Sequence, residues 1–143
     1  MNIEAIKNGY VIDHITVGNA IKIYRLLNLE SVDCEVALIS NVKSKKMKRK
    51  DLLKIGKLMD INLDKIAFID PNVTINIVKN SKIIEKKKLE ISETLVNVGV
   101  CSNPRCITST ERNLDQIFHL VDRDNKVYRC HYCEATLEKN KML

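Results

Sequence analysis

Four of the five cysteines fall in two tight pairs in the last third of the chain. Cys101 and Cys106 bracket "CSNPRC", Cys130 and Cys133 bracket "CHYC", and 23 residues separate the pairs. Thiolates two to four residues apart can grip one metal ion from a tight turn, and two such pairs complete a tetrahedron. Asn103–Pro104 supplies turn chemistry in the first loop. Zinc is the default ion for four sulfurs, with iron a minor alternative. Four protein ligands leave no open coordination position, so the ion is expected to be structural. Its binding can add on the order of 10 kcal/mol to folding. His131, inside the second pair, reads as an exposed turn residue because four thiolates already satisfy the metal. His119 reads as ordinary packing or surface.

The cysteines follow "SETLVNVGV", where a boundary is placed between units 1–93 and 94–143. A unit of about 50 residues is short of core and needs a staple. Hydrophobic residues make up 45% of the chain and charged residues 29%, which favours folding over disorder. Aromatics are only 4%, so the core must be aliphatic. The opening "MNIEAIKNGYVIDHI" has no long apolar run, which argues against a signal peptide or membrane span and favours the cytoplasm. Paired thiols are there more often metal ligands than disulfides.

The first unit alternates strands and helices. "GYVIDHI" suits a strand. Ala20, Ile23, Tyr24 and Leu27 then mark one face of a helix, with Asn19 a plausible cap. "DCEVALISNV" alternates as a strand that would carry Cys34, a buried free thiol. "KMKRKDLLKIGKLM" is ambiguous between helix and strand; as a strand it puts Lys50, Leu52 and Lys54 on one face. "DINLDKIAFIDP" is a short helix ending before Pro71, and "NVTINIVKN" and "SKIIEKKKLEI" are strands around a turn at Asn80–Ser81. The order β-α-β-β-α-β plus one strand fits an α+β, ferredoxin-like antiparallel sheet with two helices on one face.

The formal net charge of +6 suggests an anionic partner, although solubility alone would explain it. Residues 43–54 carry seven Lys or Arg and residues 79–88 five. A zinc-ribbon nucleic-acid-binding protein is the rival that this charge supports. Against it, the basic runs hold no aromatic residue for stacking, and the acidic Glu134 flanks the knuckle. No phosphate-cradling glycine loop, metalloprotease motif or nucleophile–base constellation is present, and the neighbours Asp13 and His14 do not make a triad. If the chain binds phosphates, lysines must hold them.

"IEAIKNGYVIDHI", "RKDLLKI", "VTINIVKN", "CSNPRC" and "CHYCE", in this order and spacing, resemble the regulatory chain of aspartate carbamoyltransferase over essentially the whole sequence. The resemblance implies a non-catalytic subunit with an N-terminal ferredoxin-like allosteric domain and a C-terminal zinc-binding β domain. It implies dimers formed through the allosteric domain and docking of the zinc domain on catalytic trimers. CTP, with UTP, would inhibit pyrimidine synthesis and ATP would activate it, with neither nucleic acid nor membrane as a partner. It also makes the ambiguous lysine-rich segment a strand. Glu4, Ala5 and Ile6 would line the base pocket, with Val11 adding apolar contact. Asp13 and His14 would address the ribose and phosphates, as would Lys50 and Lys54, with Leu52 between them. Asn76, Ile83 and Lys86 would close the site, Lys86 on the triphosphate. Cys101, Cys106, Cys130 and Cys133 would hold one zinc, and Asn103, Tyr132 and Glu134 would face the catalytic chain. Ser81 stands where the family carries Tyr, and Arg105 where it carries Asn.

Overall fold

The computed structural model describes residues 6–138. The chain forms two compact units, residues 1–90 and 91–143. In the first, five strands run β1 Gly9–Ile15, β2 Val36–Ser44, β3 Lys48–Ile55, β4 Thr74–Lys79 and β5 Lys82–Lys88. Helix α1 spans Ala20–Leu26 and α2 spans Leu63–Ile69. The sheet order is β2-β3-β1-β4-β5, and every neighbouring pair is antiparallel. Four strands and two helices thus give the ferredoxin-like arrangement, with β5 added as an edge.

Alternation decides which face becomes core. Ile12, Leu53, Ile55 and Ile75 point to one side and pack with Ala20, Ile23 and Ile66 of the helices. The opposite side takes Val11, Asp13, Lys50, Leu52, Lys54 and Asn76 by the two-residue period. Gly9 lies so close to the next strand that a Cβ would overlap the Ile55 carbonyl, so a side chain there would push β1 from β3. Asn80 and Ser81 both have positive φ (52° and 66°), the backbone form a two-residue hairpin needs between β4 and β5.

The caps differ from the sequence expectation. Asn19 occupies the N-cap position of α1, but its backbone is helical and its side chain makes no capping bond. A buried acid takes over that task, and a second anchors the turn before the helix. Asp51, from β3, accepts from the backbone N–H groups of Gly18 and Ala20 at 2.9 and 3.3 Å. Asp70 accepts from the Thr16 N–H at 2.7 Å and the Asn19 amide at 3.2 Å. Helix α2 is capped locally, Asn62 accepting from the Lys65 N–H at 3.2 Å. Cys34 lies before β2 rather than in it and is half-buried against the core.

The second unit has a three-stranded antiparallel sheet, β6 Thr94–Val96, β7 Ile117–Asp122 and β8 Val127–Cys130, in the order β6-β7-β8. A single helical turn, α3, spans Ile107–Thr110. Leu95, Val98, Phe118, Tyr128 and Leu137 are buried together with three of the cysteines. No helix among the described residues is long and apolar enough to cross a membrane.

Candidate functional sites

In the second unit the sulfurs of Cys101, Cys106, Cys130 and Cys133 lie within 4.8 Å of one another. Cys101 Sγ is 3.5 Å from Cys133 Sγ, and Cys106 Sγ is 3.7 Å from Cys130 Sγ. Sulfurs at about 2.3 Å from a central zinc sit about 3.8 Å apart at the corners of a tetrahedron, so the set is already close to the size the ion needs. The pairs are held differently. Cys130 ends β8 and Cys133 sits in the turn after it, the Glu134 N–H returning to the Cys130 carbonyl at 2.9 Å. Cys101 and Cys106 lie on a loop that leads into α3. That loop is closed by the Cys106 N–H donating to the Asn103 carbonyl at 3.0 Å. The Thr108 hydroxyl donates to Cys106 Sγ at 3.1 Å. Burial pushes the free Cys101 thiol up to about 12 and raises Cys130 as well. At Cys133 burial acts in the same sense, but the Ala135 N–H and the Asn103 side chain outweigh it and bring the thiol down to about 7. Cys133 is thus the most readily ionised of these three, and metal binding must draw protons from the raised pair.

Asn103, Tyr132 and Glu134 all belong to the two metal loops. Asn103 Oδ1 accepts from the Arg105 N–H at 3.0 Å, and the Glu134 carbonyl accepts from Arg129 at 3.2 Å. Tyr132 and Glu134 are exposed and Asn103 is half-exposed, so the knuckle places three polar residues on accessible turns.

In the first unit the strand register gathers what the sequence scatters. Lys54 pairs with Val11, Val11 with Asn76, and Asn76 with Lys86. These four make one row across β3, β1, β4 and β5 on the face opposite the helices. Ile83 pairs with Val78 on the same face, and Leu52 lies between Lys50 and Lys54 along β3. Lys50 Nζ reaches Asp13 Oδ1 at 2.8 Å. Burial opposes ionisation of Asp13, but Lys50 and the His14 N–H outweigh it and hold the carboxyl below its usual range. Asn76 is buried; its amide nitrogen donates to the Val11 carbonyl at 3.2 Å, and its Oδ1 has no partner among the described residues. Ile6 is half-buried, whereas Glu4 and Ala5 lie outside the described residues.

His14 reaches this face through an irregularity. Strict alternation would send it to the core with Ile12. Instead the β1–β3 register shifts between Ile12 and Ile15, and His14 has φ 57°. Ile15 takes the core position, and the imidazole Nδ1 lies 3.3 Å from Thr74 Oγ1, next to Asp13 across the ladder. A bulge of this kind re-aims one side chain without shifting the rest of the strand.

One arrangement had no counterpart in the sequence reading. His119 Nε2 and His131 Nδ1 are 2.8 Å apart on the exposed side of β7 and β8.

Comparison with known families and proteins agrees with both halves. The aspartate carbamoyltransferase regulatory chain, allosteric domain, matches residues 1–90, and the metal binding domain of the same chain matches residues 93–143. An aspartate carbamoyltransferase regulatory chain of Clostridium botulinum is 49% identical over 134 residues, 94% of this chain and 92% of that one. Those of Clostridium acetobutylicum and Bifidobacterium longum are 44% and 39% identical, covering 100% and 94% of this chain and 98% and 96% of theirs. With a metal-binding unit whose four thiols fit one zinc and an allosteric unit built on an antiparallel sheet, the chain belongs to the family of aspartate carbamoyltransferase regulatory chains, the non-catalytic subunit of that enzyme.

Proposed function

We propose that the helix-free face of the first unit binds nucleoside triphosphates, and that the cysteine unit carries the resulting signal to catalytic trimers on which it docks. The observation that carries this is the row Lys54–Val11–Asn76–Lys86 in continuous register. An apolar residue and an amide stand between two ammonium groups, with Lys50, Asp13 and His14 alongside. A triphosphate is a dense anion, and lysines on separate strands can surround it without a glycine-rich loop. The unpaired Asn76 Oδ1 supports a ligand with its own donor, because a buried acceptor left unmatched is unfavourable by about 1–3 kcal/mol. A sugar hydroxyl or an exocyclic amine would satisfy it. Asp13 tempers the charge of Lys50, so Lys54 and Lys86 are the cations assigned to the phosphates.

In this reading CTP, with UTP, lowers pyrimidine synthesis in the cytoplasm and ATP raises it, all at one pocket. Two regulatory chains pair through their sheet units. Asn103, Tyr132 and Glu134 meet the catalytic chain, in a geometry that the metal loops set before docking and that otherwise would have to be ordered on contact.

The test is calorimetry on the intact chain with CTP, ATP and cytidine. The two triphosphates should compete. Lys54→Gln should weaken both by roughly tenfold, the equivalent of about 1.4 kcal/mol, and leave cytidine nearly unchanged. Equal weakening of nucleoside and triphosphate would remove Lys54 from the phosphate region. Added to catalytic trimers, the chain should confer sensitivity to CTP and ATP, and stripping the metal should abolish it while catalysis persists.

A further inference from the structure

We propose that His119 and His131 form a second metal site, separate from the four thiolates, that takes an exchangeable tetragonal cation such as Ni²⁺ or Cu²⁺. The two imidazoles come from neighbouring strands. Phe118 pairs with Cys130 and His119 with Arg129, and the His131 N–H donates to the Ile117 carbonyl at 2.8 Å, which extends the ladder by one residue. By alternation His119 and His131 share the outer face of this ladder, while Phe118 and Cys130 are buried on the inner one. The bis-imidazole pair is therefore fixed by the same register that sets one zinc ligand, yet it opens to solvent on the other side.

Ligand chemistry selects the kind of ion. Nε2 of His119 and Nδ1 of His131 stand 2.8 Å apart, the distance of a hydrogen bond between the rings. Imidazole nitrogens suit Zn²⁺, Cu²⁺ and Ni²⁺, and zinc favours a fuller tetrahedral set of protein ligands. Square-planar nitrogen sets are the preference of Cu²⁺ and Ni²⁺. The ring centroids are 5.0 Å apart, close to head-to-head, so one imidazole now donates to the other. A cation between them needs the two exposed rings to swing until the centroids are about 4.5 Å apart, at bond lengths of about 2.0 Å.

A further contact prepares the ligand atom. His119 Nδ1 is 3.4 Å from Thr94 Oγ1 on β6. With Nδ1–H directed at that hydroxyl, Nε2 carries the lone pair, the tautomer a ligating histidine needs. His131 then donates its Nδ1–H to that lone pair. When the metal takes the place of this hydrogen bond, the His131 proton moves to its own Nε2 and no net proton is released. Water fills the remaining positions.

The experiment uses the full chain with zinc saturated in advance, so that the thiolates are filled. Ni²⁺ is added in a calorimeter, and Cu²⁺ in a parallel sample read by electron paramagnetic resonance. One additional equivalent should bind, with hyperfine splitting from two nitrogens and with zinc content unchanged. His119→Gln and His131→Gln should each weaken it by roughly tenfold or more, and His14→Gln should not affect it. Retention of zinc by each variant confirms that the knuckle is intact. Binding that survives both substitutions, or that appears only as zinc is lost, or no extra equivalent at all, would overturn the proposal.

Discussion

The two units solve one shortage in opposite ways. Aromatics are only 4% of the chain and Trp is absent, and the two largest fully buried side chains, Phe118 and Tyr128, both lie in the second unit. The first answers with a continuous aliphatic layer, Ile12, Ile15, Leu53, Ile55 and Ile75 against Ile23 and Ile66, each at most 1% exposed. The second has few such residues and places cysteines at the same depth, with Cys106 and Cys130 each 2% exposed. Apolar burial stabilises in proportion to area and is shared among many residues. A metal centre concentrates its contribution on four atoms. The first unit should therefore erode by degrees under mutation, and the second should fail all at once.

Cys130→Ser tests this most severely. Loss of one thiolate should remove a large part of the metal's contribution, of order 10 kcal/mol, and unfold residues 91–138. Metal analysis should show zinc lost, while amide exchange should leave the 6–90 sheet protected. If the sheet melted as well, the units would not be independent. Next in size is Leu53→Ala, at the centre of the aliphatic layer, which should destabilise the first unit by about 2–5 kcal/mol in denaturant titration and leave zinc bound.

Asp51→Asn should be smaller, about 1–3 kcal/mol, and should carry a pH signature. Burial pushes the Asp51 carboxyl up, but the N–H of Asn41, the Ser40 hydroxyl and the N–H groups of Gly18 and Ala20 outweigh it and hold it below 3.8. A depressed value in the folded chain means that this stabilisation is fully present above the unfolded value and fades as pH falls through the folded one. The wild-type sheet should thus lose stability in acid, below about pH 4, with a steeper slope than the variant. The mildest change is Asn62→Ala, which removes the α2 cap and should destabilise the first unit alone by about 1 kcal/mol, read as a small drop in its melting point.

Legibility in the sequence followed distance along the chain. The zinc ligands were readable because each pair spans one turn. Asn62 and Asn80–Ser81 act on their immediate neighbours, and the turn was readable for that reason. The row Lys54–Val11–Asn76–Lys86 is a matter of register among four strands, which periodicity alone does not fix; only the family resemblance gathered those residues. His14 would have been misplaced by simple alternation, because nothing in "VIDHI" announces a bulge. Asn19 looked like a cap, yet Asp51 fills that role from 31 residues away. The His119–His131 pair was missed because a metal-motif reading set both residues aside. The usable signal was geometric: two residues on paired strands, offset diagonally on one face.

Asp51 has a consequence that reaches beyond stability. It sits between Lys50 and Leu52, so its neighbours project from the outer face while its own carboxylate grips the start of α1 and, through Ser40 and the Asn41 N–H, the edge strand β2. A β-strand is stiff along its length, and its two faces cannot slide past each other. Lys50 on the outer face and the tether that seats the first helix are therefore one peptide unit apart on the same backbone.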